Sequence, residues 1–221
     1  MVYAELRSRI LTGVLLPRER VVASRLAKEL GVSEIPVREA IKRLEAEQLV
    51  TVIPNSGAVV APMSLALVRE LFDIRSSLEG LAGRTACPHL TPPQFAEMEE
   101  HLAAMETTSR TGNFPEASRY NRLFHWVIYR ASPYDYLKKL ITDLMQRTER
   151  GRALFALVPG YYERQISDHH IILALLRAGD AEGVERKMAE HLRYSAERWE
   201  AMGRQGGSLM LPGLEEEERV R

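Results

Sequence analysis

Apolar residues along this chain recur mostly at helical spacing, and the clearest case lies near the N-terminus. Val37, Ala40, Ile41 and Leu44 fall at i, i+3, i+4 and i+7 and make one apolar stripe. Arg38, Lys42 and Glu45 lie on the opposite face. Ser33 is placed to cap this helix, and Pro36 stands in its first turn, where a missing N–H costs little. A shorter helix over Ser24 to Leu30 precedes it, with Leu26, Ala27 and Leu30 turned inward. Gly31 ends that helix, because glycine takes the left-handed cap conformation without penalty. An earlier helix, Val2 to Thr12, buries Val2, Leu6 and Ile10, and Leu15 to Arg20 connects the two. The period then changes. Leu49 to Ile53 alternates and is rich in β-branched residues, Pro54-Asn55-Ser56-Gly57 reads as a turn, and Ala58 to Ala61 is a second strand.

Two short helices joined by a Gly-containing turn fit either an ordinary helical hairpin with solvated basic residues or a helix-turn-helix. The strand hairpin that follows at once favours a winged helix-turn-helix. In that reading Arg38 faces outward one turn into the recognition helix and makes the specific base contact. Ser33, Ile35 and Pro36 line the helix start, Arg25, Lys42 and Arg43 meet phosphates, and Asn55, Ser56 and Gly57 form a wing tip for the adjacent minor groove.

After Pro62-Met63-Ser64 only the helical period remains. Ser64 is placed to cap a long helix that reaches about Ala86 and carries Val68, Leu71, Leu78 and Ala82 inward. Thr91-Pro92 opens a helix with Phe95, Met98, Leu102 and Met105 in register. The next spans about Pro115 to Ala131, with Ala117, Tyr120, Phe124 and Ile128 inside. Pro133 opens another, carrying Leu137, Leu140, Ile141 and Leu144. The last two are Tyr161 to Arg177 and Asp180 to Met202, with Asp180 as N-cap. The expected architecture is mainly α: a winged helix-turn-helix at 1–62, an all-α six-helix bundle at 64–203 and a disordered tail at 204–221, which has too few core residues to fold.

Composition adds boundaries rather than a function. The 221 residues carry no net charge, so a nucleic-acid partner has to be argued from geometry. Residues 1–62 hold nine Lys/Arg against seven acidic residues, a surplus of +2. No apolar run approaches the roughly 18–20 residues that span a bilayer, and the N-terminus lacks a signal-peptide core. The single cysteine, Cys87, fits a reducing cytoplasm, and a small buried side chain before Pro88 is favoured there over a catalytic thiol.

Polar residues at core-facing positions are the candidate chemistry, because burying them is costly without partners. His125 lies one turn after Asn121 on the side of Phe124 and Ile128. His169 is in phase with Ile166, Ile172, Leu173 and Leu176, and His191 with Val184, Met188 and Ser195. A lone inward histidine is usually a satisfied core residue, whereas three on three helices can converge on one divalent metal. Ligand type favours zinc or nickel, and manganese less. Arg75 lies on the inward face of its helix with Glu79 one turn on. Its guanidinium cannot lose its charge, so it either pairs with Glu79 or grips a ligand carboxylate.

The stretches LAKELGVSEIPVREAIKRLEAEQLV and PNSGAVVAP closely resemble the DNA-binding domain of GntR-type bacterial transcription regulators, over residues 2–62. LFDIRSSLEGLAGRTA, NRLFH, DHHIILALLRAGD and MAEHL resemble the FCD domain of the FadR-like branch, over residues 64–200. The resemblance implies a metal set at Asn121, His125, His169 and His191, with the 22-residue spacing of the two last histidines. Asn121 stands where the family has Asp, which weakens attraction for a cation. Pro17-Arg18 stands where relatives have Pro-Gly, and Glu34 where many have Arg. The resemblance also implies that Arg75 holds a small organic acid near the metal.

Three functions are open to such a chain: a ligand-responsive regulator, a metal-dependent enzyme with an accessory DNA-binding module, and a constitutive DNA-binding protein with a structural bundle. The enzyme lacks a general base beside the histidines, a nucleophile motif and a phosphate loop. The inward polar set argues against the third. The expectation is a homodimeric cytoplasmic regulator, with repression as the expected mode, that binds operator DNA, a small carboxylate and a divalent metal.

Overall fold

A computed structural model describes residues 1–11, 14–15, 18–53, 57–61, 65–148, 158 and 160–205. The chain divides into two compact units, one containing Met1–Leu67 and the other Val68–Ala201. Asn55 and Ser56 of the wing tip, the boundary at Pro62-Met63-Ser64 and the tail from residue 206 onward lie outside the described residues.

The first unit runs α1 (Val2–Leu11), β1 (Arg20–Val21), α2 (Ala23–Leu30), α3 (Glu34–Ala46), β2 (Val50–Ile53) and β3 (Gly57–Val60). Gly31 ends α2 at φ 65°, and the Val32 amide closes the turn on the Ala27 carbonyl at 3.0 Å. Val37, Ala40, Ile41 and Leu44 are buried with Leu6, Ile10 and Leu26, so the expected stripe is the core face of α3. Ser33 does not cap as expected: its side chain makes no capping bond, although it holds the N-cap position.

The sheet is larger than a hairpin. Its order is β1-β3-β2, with both pairings antiparallel. Arg20 pairs with Val59 and Val21 with Ala58. Sequence pattern does not reveal β1, because two residues have no period and depend wholly on β3. Just before it, Arg18 sits in the left-handed region at φ 66°, held by its amide bond to the Val60 carbonyl at 2.8 Å. A non-glycine residue costs about 1–2 kcal/mol there. This explains why glycine suits the position. Arg18→Gly is expected to stabilise the first unit by about 0.5–1 kcal/mol, after glycine's greater unfolded-state entropy is set against the relieved strain. Calorimetry of the full chain measures this, and an unchanged or lowered transition would contradict it.

The second unit is helical throughout its described residues: α4 (Leu65–Ala86), a 3-10 turn (Cys87–His89), α5 (Pro92–Arg110), α6 (Phe114–Ala131), α7 (Asp135–Thr148), α8 (Tyr161–Ala178) and α9 (Ala181–Gln205). Thr91 and Gln94 form a capping box at α5, and Asp180 Oδ1 accepts the Gly183 amide at 2.9 Å at α9. The core gathers Met98, Leu102, Phe124, Ile128, Ile172, Leu176, Val184 and Met188. Gly83 lets α4 lie close on α9, since a Cβ there would meet Met188 Sδ and stand 2.7 Å from Val184 Cγ1. Cys87 is buried, as expected of a packing residue.

Two expectations shift. Leu140 is 37% exposed rather than inward, because the buried face of α7 centres on Leu137 and Ile141 and leaves Leu140 on its flank. The last helix passes Met202 and continues to Gln205, as Arg204 and Gln205 are good helix formers.

Candidate functional site

On the first unit, the outward face of α3 presents Ile35, Pro36, Arg38, Glu39, Lys42 and Arg43 to solvent. Ile35 is 73% exposed, an unusual place for a large apolar side chain at a helix start. Each outward cation has a companion. Arg38 Nη2 lies 2.7 Å from Glu34 Oε2, Lys42 Nζ 3.1 Å from Glu39 and Arg25 Nη2 3.2 Å from Glu19. Arg43 stacks over the Tyr3 ring, 4.1 Å from its centroid. Exposed pairs of this kind are worth only about 0.3–0.5 kcal/mol, so they orient the cations without withholding them from phosphate. Of the expected wing tip, Gly57 is described, at φ 89°.

In the second unit the three inward histidines meet. His125 comes from α6, His169 from α8 and His191 from α9, and all are buried. His125 Nε2 lies 3.1 Å from His169 Nε2 and 3.3 Å from His191 Nε2. Their ligating atoms all fall within 4.8 Å of one another. His169 Nδ1 donates to the Gln165 carbonyl at 2.5 Å, one turn back on the same helix. That bond leaves the Nε2 lone pair facing the other rings. Burial, and after it the neighbouring His191, pushes the His169 ring down to about 3, so the ring is neutral near pH 7.

A carboxylate in the equivalent place behind His191 comes from Asp168, which sequence reasoning missed. Its carboxylate is buried, and Oδ2 faces His191 Nδ1 at 3.4 Å. Lys187 Nζ and Arg164 Nε stand 2.6 Å and 3.2 Å from Oδ1. Burial disfavours the Asp168 charge, but His191 and Lys187 more than offset this and hold its carboxyl below the usual carboxylate range. Lys187, one turn before His191, was the available signal that the carboxylate faces α9.

The donor set fits a divalent cation. With Nδ1 of His169 and His191 protonated, two Nε2 lone pairs point into the cluster. A proton on His125 Nε2 can serve only one of the two facing Nε2 atoms, and the other lone pair is left without a donor in the cluster. A Lewis acid removes that conflict, and three neutral imidazoles with open positions are sufficient to hold zinc. Asn121 lies one turn before His125, and its Oδ1 is buried with no hydrogen-bond partner. It is a neutral oxygen available as a weak fourth ligand.

A cavity of about 30 Å³ adjoins the cluster and is lined by Asn121, His125 and His191 together with Arg75, Glu79, Tyr161, Gln165 and Ser195. Arg75 is buried, its Nε 2.7 Å from Glu79 Oε1 and its Nη1 2.7 Å from Thr148 Oγ1. The Tyr129 hydroxyl donates to the other Glu79 oxygen. Burial alone disfavours the Arg75 charge, but Glu79 more than compensates and its pKa is raised. The internal Arg75–Glu79 pair, one of the two readings open from sequence, is therefore formed. Ser195, inward as its phase with His191 implies, lies 3.0 Å from Tyr161, and with Tyr161 and Gln165, which sequence periodicity did not single out, it completes a polar wall.

Both halves of this arrangement have counterparts among known proteins. The model for bacterial regulatory proteins of the gntR family matches residues 1–60, and that for the FCD domain matches residues 70–194. The chain belongs to the GntR family, in its FCD branch. It is 32% identical over 193 residues to the HTH-type transcriptional regulator McbR of Escherichia coli K12, covering 86% of this chain and 87% of McbR. The solved structure titled E. coli McbR/YncC superposes with a TM-score of 0.75 at 30% identity, covering 91% of this chain and 96% of that one. The gluconate operon transcriptional repressor of Bacillus subtilis is 29% identical over 140 residues, 63% of this chain and 57% of the repressor. The FadR-like, mainly α architecture with its wing thus matches the family, and this GntR chain is a DNA-binding transcription regulator, not an enzyme. No helix among the described residues is long and apolar enough to cross a membrane.

Glu34 stands where the family resemblance implies Arg in many relatives. A carboxylate cannot bond the acceptors of guanine and is repelled by phosphate, whereas it can accept from cytosine N4. It also holds Arg38 at 2.7 Å. Sites selected from random DNA are expected to differ from the half-site of the Arg-bearing relatives. Recovery of that common half-site would refute this role.

Proposed function

We propose that this regulator is a metal-assisted, carboxylate-responsive repressor that acts as a homodimer on an inverted repeat. The observation that carries the reading is the convergence of three Nε2 atoms beside a polar cavity inside the helical unit of a DNA-binding protein. His125, His169 and His191 would hold a divalent metal, with Asn121 as a weak fourth ligand, and zinc or nickel suits these donors. A metal held there supplies positive charge and open positions for an anionic oxygen. Arg75 is the second cation on the cavity wall. It reaches an effector carboxylate by sharing its fork with Glu79 rather than by leaving it.

The cavity has room for only a few water molecules as it stands. An organic acid therefore enters only as the lining side chains move, and Met105, Met145 and Leu192 are the adaptable ones. That repacking is what gives the effector different affinities for two arrangements of the bundle, the condition for any change in DNA affinity. The cytoplasm is the compartment in which the dimer would meet its operator. Repression agrees with what the gluconate operon relative is called.

On DNA, one winged helix serves each half-site, since a dyad operator mirrors a protein two-fold. Arg38 reads a base, Ser33, Ile35, Pro36 and Glu34 lie at the helix start, and Arg25, Lys42 and Arg43 meet phosphate. Asn55, Ser56 and Gly57 enter the minor groove. Arg38→Ala is expected to cost about 1–3 kcal/mol in operator binding and to relax specificity. Fluorescence anisotropy on selected and scrambled duplexes measures both, and wild-type binding by the variant would refute this docking. A thermal-shift screen of chelator-treated protein against divalent metals, each with and without small carboxylates, tests the effector half. The reading expects stabilisation by a carboxylate that needs the metal, and fails if no combination raises the melting temperature.

A further inference from the structure

We infer that Asp168 is the positioning residue of the histidine cluster, fixing His191 as the Nδ1–H tautomer so that its Nε2 lone pair is delivered to the metal. The inference rests on the metal-binding reading above. Its basis is geometric. Asp168 is 1% exposed and His191 2% exposed, so neither side chain is tied to solvent. Oδ2 and Nδ1 face each other at 3.4 Å, and neither has another hydrogen-bond partner among the described residues. That separation is long for an N–H···O bond, and a small rotation of the ring closes it.

The carboxylate cannot turn away. Lys187 Nζ at 2.6 Å comes from α9, one turn before His191, and Arg164 Nε at 3.2 Å comes from α8, one turn before Asp168 itself. Both address Oδ1, which leaves Oδ2 for the imidazole. An ionised carboxylate only accepts hydrogen bonds. It therefore selects the ring form with its proton on Nδ1 and the lone pair on the far nitrogen. His169 receives the same instruction from a backbone carbonyl, which no substitution removes. His191 depends on a side chain, so Asp168 is where the cluster can be broken without touching a ligand. A carboxylate behind a metal-bound imidazole also raises the basicity of the ring.

Asp168→Asn separates this role from a packing role. Lys187 and Arg164 would claim the amide oxygen, turning the NH2 group toward His191. That donor favours the opposite tautomer, with Nε2–H pointing into the cluster. The expected result in full-length protein is a zinc affinity lower by about 10–100-fold, read by competition with a chromophoric chelator. Two-bond 1H–15N spectra of chelator-treated, 15N-histidine protein, assigned with His191→Gln, should show His191 protonated at Nδ1 in wild type and at Nε2 in Asp168→Asn. Lys187→Met is the contrast: it removes the ion pair, lowers the melting temperature and leaves the tautomer unchanged.

Wild-type zinc affinity in Asp168→Asn, or Nε2–H on His191 in the wild-type protein, would overturn the inference. The wild-type spectrum decides even if the Asn variant fails to fold. Should wild type bind neither zinc nor nickel, the metal reading falls. The tautomer then still supports or refutes the positioning by Asp168.

Discussion

Glu79→Ala is expected to lower the stability of the helical unit by about 3–5 kcal/mol, the usual cost of removing one partner of a buried ion pair. Arg75 is 2% exposed and Glu79 1% exposed, and they meet at 2.7 Å. The guanidinium stays charged at any working pH, so without Glu79 a cation is left in the core with Thr148 Oγ1 as its remaining side-chain acceptor among the described residues. The Tyr129 hydroxyl would lose its bond to Glu79 as well. Glu79→Gln should cost less, because the amide oxygen can still accept. Replacing both partners by apolar residues should recover much of the loss. Denaturant unfolding followed by tryptophan fluorescence measures this in the right unit, since Trp126 and Trp199 are the two tryptophans and both belong to it. A loss below about 1 kcal/mol would mean that the pair is far more solvated than its burial indicates.

His169→Ala should abolish metal-dependent stabilisation. A ligand at a hundred times its dissociation constant stabilises by about 2.7 kcal/mol, and the variant should gain none at the same concentration. His169 is the ligand of choice for this test. It is fully buried, its Nδ1 is committed to the Gln165 carbonyl, and it packs edge-on against Phe124 at 4.6 Å. Loss of its imidazole leaves two nitrogen donors and the neutral Asn121 oxygen. In the opposite direction, Asn121→Asp restores a negative charge to the donor set and should tighten binding. Elemental analysis of untagged protein, with isothermal titration of both variants, provides the readout. No metal in wild type and none recovered in Asn121→Asp would show that the histidines serve something else.

The parts of this molecule legible in the sequence are those fixed by local rules. Proline and glycine placed the helix boundaries, and Gly31 sits at the left-handed cap that it signals. The stripe from Val37 to Leu44 is buried as its spacing implies, and the i, i+4 spacing of Glu34 and Arg38 becomes a contact. The histidines were legible because each repeats the phase of apolar neighbours on its own helix. What escaped depends on partners distant in the chain. Strand β1 exists only through Val59 and Ala58. Asp168 falls within the buried face of α8, between Gln165 and Ile172, but what an acidic side chain does there depends on Lys187 and His191 of the next helix. Arg18 hides a left-handed backbone under an ordinary side chain. Arg75 presented two outcomes that periodicity could not separate, since both place the guanidinium inward.

Occupancy of the histidine cavity is expected to change what the winged helix does on DNA. The direct measurement is operator affinity of the full chain in four states: chelator-treated, metal-loaded, and each of these with the carboxylate that most raises the melting temperature. Metal and acid together are expected to change affinity by about 5–150-fold, the span of ordinary allosteric coupling, and His169→Ala to remove the change while leaving the unliganded affinity intact. Equal operator affinity in all four states, in the presence of an acid that demonstrably binds, would contradict it.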